Sequence, residues 1–204
     1  AAASASRTVR PSERRRASVV ESACAFFEAE LRAPGGRGAR EYLERRGLDA
    51  AAIALFRLGY APAEPTRLLR HLRTAGFDDE MVEEAGLSRR PEDGREAWSF
   101  FRNRVIFPVG DRRDRIVAFG ARLMEGDGPK YINSPEGPLF HKGQLLYGMA
   151  RAAQAAGDGQ PVIVAEGYMD VIGLARAGFE GAVAPLGTAL TEDQIETLWT
   201  MAPV

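Results

Sequence analysis

The sequence is poor in cysteine, lysine and histidine. Cys24 is the only cysteine in 204 residues. A lone cysteine closes no internal disulfide and builds no CxxC zinc site, so a disulfide scaffold and a zinc ribbon are excluded and a reducing, cytoplasmic setting is expected. Long apolar runs are missing as well. Stretches such as Ala50–Phe56 and Val162–Ala165 fall far short of the roughly 20 residues a bilayer-spanning helix needs, so no membrane partner is expected. No Walker A pattern and no Ser/His/Asp order occurs, which removes two common routes to phosphate binding and nucleophilic catalysis. His141 is one of two histidines and has no second ligand nearby in the chain, so a histidine metal site is not expected.

What remains is an ordinary globular composition, 45% hydrophobic and 27% charged, long enough for one large domain or two small ones. The net charge of −1 conceals an asymmetry. Residues 89–142 carry 9 Arg and 2 Lys against 8 acids, a net of +3, whereas residues 143–204 carry 2 Arg against 7 acids, a net of −5. A basic middle beside an acidic last third suits a polyanion held next to an acidic metal site, and equally two solvated surfaces. The basic residues are 25 Arg and only 2 Lys, Lys130 and Lys142. A lysine is a compact point charge that a planar guanidinium does not replace where geometry matters. Both fall in one short segment.

Periodicity divides the chain into three regions. Residues 1–17 are small, polar and Arg-rich and are expected to be a linker or disordered tail, with a transit peptide or a nucleic-acid arm as the alternatives. Residues 18–160 form one subdomain, helices first and then a small sheet. Val19, Val20, Ala23, Phe26, Phe27 and Leu31 recur at helical spacing until Pro34-Gly35-Gly36 ends the run. Short helices are expected over Ala39–Arg46, Ala50–Phe56, Pro65–Ala75 and Asp78–Ala85, with Thr66 or the Asp78-Asp79 pair available as caps. Val105–Val109 and Arg115–Met124 read as strands joined by a turn at Asp111–Asp114, followed by a third strand at Lys130–Asn133 and a helix at Tyr147–Ala156. Residues 161–204 alternate: a buried strand at Pro161–Ala165, a helix at Tyr168–Ala177, a strand at Gly181–Ala184, and a helix at Thr191–Met201 opened by a Thr191/Gln194 capping box. That order predicts a parallel sheet.

The sharpest chemical signal is Val162-Ile163-Val164-Ala165-Glu166-Gly167-Tyr168-Met169-Asp170. In open α/β sheets ligands bind beyond the carboxyl ends of the strands, where Glu166 stands. Asp170, four residues on, shares its side of the following helix. Two such carboxylates can hold Mg²⁺ through oxygen, although Asp170 is equally well placed as a first-turn acid favouring the helix dipole. A two-metal site needs further carboxylates, and none follows the next strand, where Pro185-Leu186-Gly187-Thr188 stands. The missing ligands are therefore expected beyond residue 204. Arg102 and Arg104 flank Asn103, and strand spacing would turn both guanidiniums to one face, as phosphate contacts or as solvated charges. Lys130, Tyr131 and Lys142 could hold a triphosphate and stack a base.

These residues resemble a known family. The segments Glu41–Leu48 (EYLERRGL), Phe100–Val109 (FFRNRVIFPV), Phe119–Leu123 (FGARL), Pro129–Gly143 (PKYINSPEGPLFHKG) and Glu166–Ile172 (EGYMDVI) are similar to the RNA-polymerase core of bacterial DnaG-type DNA primases. EGYMDVI resembles the first motif of the Toprim fold, which topoisomerases and some nucleases share. The segment from Pro129 to Gly143 is close to primase-specific. The resemblance implies an α+β N-terminal subdomain followed by an incomplete α/β Toprim domain (Rossmann-like, parallel sheet) from residue 161. It implies that Glu166 is a metal ligand or general acid/base for nucleotidyl transfer, that Asp170 is its acidic companion, and that Arg46, Arg102, Asn103, Arg104, Arg122, Lys130, Tyr131 and Lys142 handle template and nucleotides.

The implied reaction joins ribonucleoside triphosphates into a short RNA primer on single-stranded DNA, with Mg²⁺ or Mn²⁺ as cofactor. The family's zinc belongs to an N-terminal domain and its replicative helicase to a C-terminal domain, neither represented in these residues, so this chain alone is expected to be inactive. The alternatives are another Toprim enzyme that cuts or rejoins DNA, and a non-catalytic single-strand-binding module.

Overall fold

The computed structural model of the chain describes residues 11–187 and 189–202. Its first element, α1 (Pro11–Arg32), overturns part of the expected tail. Residues 11–17 are helical, and residues 1–10 lie outside the described residues. The reason is local. Proline is tolerated in a first helical turn, where its missing N–H would be unpaired anyway, and Arg16 ties the upstream turns down through an ion pair with Glu84 at 2.7 Å. Farther along, Val19, Val20, Ala23 and Phe27 are fully or almost fully buried, and the helix extends back from that anchored face.

Short helices follow: α2 (Arg37–Arg45), α3 (Ala50–Leu55), α4 (Arg67–Thr74) and α5 (Asp79–Glu84). Of the two expected caps, Asp78 accepts from the Met81 amide at 2.8 Å. Thr66 caps nothing through its side chain and receives the Arg70 guanidinium instead. Between α3 and α4 lies β1 (Gly59–Ala61), a strand too short for periodicity to reveal. It joins β4 (Arg104–Gly110), β5 (Ile116–Leu123) and β6 (Tyr131–Asn133) in an antiparallel sheet of order β1-β4-β5-β6. A separate small ribbon pairs β2 (Ser88–Arg89) with β3 (Trp98–Ser99).

The two faces of the larger sheet are filled differently, as the two-residue period of a strand requires. Ile106, Phe119 and Ala121 join the apolar cluster of α1, α4 and Phe101, where the Phe27 ring meets Phe119 edge-on at 5.4 Å. Val105, Phe107, Val109 and Ala118 face the opposite way, into a cluster with Leu43, Tyr147, Tyr168, Ile172 and Ala184. Cys24 belongs to the first cluster, and burial pushes its thiol far above the ordinary range. It is a core residue, not a reactive one.

The last third builds the second layer. A helix α6 (Met149–Gly157) leads to β7 (Ile163–Val164), α7 (Tyr168–Arg176), β8 (Ala182–Val183) and α8 (Glu192–Met201). β7 and β8 are parallel, as the alternation predicted, and the capping box at Thr191/Gln194 is present. One expectation fails: the strand before Glu166 is not buried. Val164 is 44% exposed, because one side of β7 faces an open apolar hollow shared with Ile195, Leu198 and Trp199. Among the described residues no helix is long and apolar enough to cross a membrane.

The two layers meet through Tyr168, the first residue of α7. Its ring stacks on Phe107 at 4.9 Å and 11° between planes, and Tyr147 meets it edge-on at 4.8 Å. Gly120 makes this possible: a Cβ there would overlap the Tyr168 ring and hydroxyl. Gly120→Ala is therefore expected to lower stability by about 2–3 kcal/mol through overpacking, read as a reduced urea-unfolding midpoint. An unchanged midpoint would show that the two layers are not held in this contact.

Candidate nucleotide and nucleic-acid site

Two of the sequence-selected residues, Arg46 and Arg122, gather over one buried ring, and two more, Tyr131 and Lys130, lie beside them. Tyr42 projects from α2 into the core. Arg122, near the end of β5, lays its guanidinium carbon 4.0 Å from the Tyr42 ring centroid, and Arg46, just past α2, lies 5.5 Å away. Arg122 pairs across the sheet with Tyr131. The Tyr131 ring is 43% exposed and lies 6.0 Å from the Lys130 ammonium. Burial raises the Tyr131 phenol above its ordinary range, while the Arg122 and Arg46 charges pull it back. Two polar atoms at this spot, the Tyr42 hydroxyl and Arg122 Nε, are buried without a partner among the described residues. Guanidiniums held over aromatic rings keep their edge N–H groups for a phosphate, and a half-exposed tyrosine offers a face for a base.

The Arg102-Asn103-Arg104 triplet does not form the expected face of two guanidiniums. Strand β4 starts only at Arg104, and Asn103 takes the left-handed conformation at φ 50°, which breaks the alternation. Asn103 is spent on structure: its Nδ2 donates to the Glu125 carbonyl at 3.0 Å and its Oδ1 accepts from the Tyr60 hydroxyl at 3.2 Å. Arg104 is buried, its guanidinium pushed down by desolvation, and its Nη1 donates to the Pro129 carbonyl at 3.0 Å. Arg104 therefore fixes the residue before Lys130. Arg102 alone of the three is exposed.

Lys142 sits apart, at the start of a short 3₁₀ turn, Lys142–Gln144. Its backbone is held from both sides. The Lys142 amide donates to Glu136 Oε1 at 3.0 Å, and its carbonyl accepts from Gln194 Nε2 at 2.9 Å. The same Nε2 donates to the Leu145 carbonyl at 2.8 Å, and Thr191 Oγ1 donates to the Gly143 carbonyl at 2.5 Å. Gln194 is completely buried. The capping box of α8 thus serves the lysine loop as well as its own helix. The spacing revealed the box but not this second use, which depends on 48–52 residues of intervening chain. No described ion pair is made by a lysine: Arg or His141 supplies every cation.

Glu166 stands exposed between β7 and α7, with no hydrogen-bond or ion-pair partner among the described residues. Asp170 accepts from the Gly167 amide through Oδ2 at 3.1 Å, so it closes the first turn of α7 and holds the backbone beside Glu166. The two carboxylates are not joined by a third: among the described residues no group of three or more His, Cys, Asp or Glu could hold a metal ion. A free strand-end carboxylate fits one oxygen ligand of a hard cation, not a complete cage. Two residues after Glu166, Tyr168 brings this corner to β6. Its ring lies 6.4 Å from that of Tyr131, and its hydroxyl donates to Asn133 Oδ1. Asn133 Nδ2 donates in turn to the Leu186 carbonyl at 2.7 Å, pinning the loop after β8. Asn133, Tyr168, Tyr42 and Gln194 were not among the site residues chosen from sequence, because each acts across a long separation that periodicity does not encode.

Replacing Gln194 with leucine keeps the volume and leaves the half-buried Lys142 and Leu145 carbonyls and the Thr191 amide without their partner. The expected loss is about 2–3 kcal/mol, and amide exchange across residues 142–147 should quicken more than in α1. Equal acceleration in both regions would mean general destabilisation, not a freed lysine loop.

Comparison with known proteins agrees with this architecture. Residues 26–153 match the family model of the DNA primase catalytic core, N-terminal domain, and residues 160–203 match a Toprim domain. A DNA primase of Pseudomonas aeruginosa is 42% identical over 186 residues, which cover 91% of this chain and 28% of that protein. One of Deinococcus radiodurans is 45% identical over 174 residues, 85% of this chain and 30% of the relative. The crystal structure of a DNA primase domain from P. aeruginosa superposes with a TM-score of 0.86 at 42% identity, covering 92% of this chain and 59% of that one. The DnaG primase catalytic domain bound to ssDNA superposes with a TM-score of 0.83 at 37% identity, covering 94% and 59%. The chain thus spans less than a third of those two full-length relatives, and with its N-terminal core and the beginning of a Toprim domain it belongs to the bacterial DNA primase family.

Proposed function

We propose that the whole protein of which these residues are part is a DNA-directed RNA polymerase of the cytoplasm, joining ribonucleoside triphosphates into short primers on single-stranded DNA. The observation that carries this reading is the Tyr131–Tyr168 contact at 6.4 Å, which brings the basic and aromatic cluster of Arg46, Arg122 and Lys130 to the corner where Glu166 is free. A triphosphate needs cations on one side and a carboxylate-held metal on the other, and this corner has the cations and one free carboxylate, Glu166.

In this reading Lys130 and Lys142 act as point charges on the triphosphate. Arg46 and Arg122 hold phosphate oxygens from their stacked positions, and Tyr131 offers its face to a base. Arg102 contacts the template backbone. Asn103, Arg104 and Asp170 are positioning residues, which fix the Lys130 loop and the Glu166 turn. Glu166 supplies one ligand for Mg²⁺ or Mn²⁺, and the remaining carboxylates come from sequence past residue 204. A divalent cation bound there would neutralise charge developing on the transferred phosphoryl group. A replicative helicase would engage through a region other than these residues, as would the family's zinc domain. The DnaG primase catalytic domain bound to ssDNA is a relative of this chain, and it supports a single-stranded DNA partner here.

In a protein extended through the remainder of the Toprim domain, Glu166→Gln should abolish primer synthesis and leave single-strand binding unchanged, measured by primer assay and fluorescence anisotropy. Persistent synthesis would make Glu166 a structural residue. Retained binding without synthesis in the unmodified extended protein would favour a binding module.

Single-strand affinity should also fall with salt, with a log–log slope of about −0.7 per neutralised phosphate. Arg102→Ala should make that slope shallower by close to one phosphate contact. A slope that does not change removes Arg102 from the template path.

A further inference from the structure

We propose that the turn end of the β4–β5 hairpin carries a second phosphate-binding subsite, remote from the Tyr42 cluster and beyond the function proposed above. The two lie at opposite ends of β5, roughly 20 Å apart along the strand. A cavity of about 380 Å³ opens there between the hairpin, α3 and α6, of the size that small-molecule sites occupy. Four arginines line it, Arg57, Arg112, Arg113 and Arg151, against a single acid, Asp114.

Arg57 is already neutralised by Glu21 at 2.6 Å and Glu28 at 2.8 Å. The other three are not. Arg112 donates to the neutral Thr197 hydroxyl at 2.9 Å, which orients it and leaves its charge unmatched. Arg151 lies over the Phe56 ring at 4.9 Å, so its N–H edge is free. Arg113 is exposed and its side chain has no partner among the described residues. Set against Asp114, these leave a surplus of two positive charges.

Tyr147 lines the cavity and is 3% exposed. The unmatched guanidinium charges call for an anion, and a phosphate fits them because its oxygens accept from several N–H groups at once. A neighbouring hollow shares Arg112, Arg113 and Met149 with this one, and there Arg115 is already paired with Asp111 at 2.6 Å. The phosphate could belong to a free nucleotide or to a nucleic-acid strand.

The test uses the intact protein carrying Arg46→Ala, Arg122→Ala, Lys130→Ala and Lys142→Ala, so that anion binding at the site proposed above is removed. Inorganic triphosphate and an oligothymidylate of about twelve nucleotides are titrated separately by calorimetry at low salt. Adding Arg113→Ala and Arg151→Ala should weaken binding about tenfold or more, the loss expected when charge-assisted hydrogen bonds are removed. A loss seen with triphosphate assigns the subsite to free nucleotides, and a loss confined to the oligonucleotide assigns it to a strand. Either supports the proposal. Arg113→Ala alone removes only an exposed side chain, so it controls for folding and should still lower affinity. Unchanged affinity for both probes in the double variant overturns the subsite. Primer synthesis is not the readout, so failure here leaves the proposed function standing.

Discussion

The ring of Tyr168 joins the two layers of this chain. It lies on Phe107 in the antiparallel sheet, over a position where only glycine leaves room, and its hydroxyl reaches Asn133. The tyrosine belongs to the loop–helix junction that carries Glu166, and Asn133 belongs to the strand that carries Tyr131. A single side chain therefore sets how the acidic corner of one layer meets the cationic edge of the other. Asn133 strengthens the link by also holding the Leu186 carbonyl. Displacing α7 relative to the sheet would break the Tyr168–Asn133 hydrogen bond and the aromatic stack together, so the two halves of the candidate site are held in one body.

The same economy appears in the cations. Arginine serves here mainly as a building material: it pairs with acids across helices, stacks on Tyr42 and Phe56, and closes loops onto carbonyls. Its planar fork suits these tasks, and it stays charged when partly dehydrated. Arg104 shows the consequence for site assignment. A buried arginine beside the lysine loop supports that loop and is not available to a ligand. Among the proposed site residues, Arg102, Lys130, Lys142 and Glu166 have no ion-pair partner in the scaffold, and the stacked Arg46 and Arg122 serve both the scaffold and a ligand.

Much of this was legible in the sequence. The helical spacing of Val19 to Leu31, the strand runs around Phe107 and Phe119, and the Thr191/Gln194 box each depend on neighbours within a few residues, and each is present. The convergence of Arg46, Arg122, Lys130 and Tyr131 followed from resemblance, not from periodicity. What stayed hidden has physical reasons. Asn103 turns through a left-handed conformation, so alternation misplaced Arg102 and Arg104. Val164 looked like a core residue because apolar content does not say which face of a strand is covered. The Arg-rich start looked like a tail because its composition is polar, yet one ion pair and a buried downstream face keep it helical. Gln194 and Asn133 act on carbonyls about fifty residues away, a range at which sequence pattern carries no information.

The division of labour between arginine and lysine has a chemical corollary. Lys130 and Lys142 hold the only side-chain amines in the chain, and no described ion pair of the scaffold involves either. A mild amine-acylating reagent would therefore remove side-chain charge at these two lysines alone and leave every guanidinium contact intact. The two lysine charges of the candidate site can thus be silenced chemically while the framework keeps all of its own.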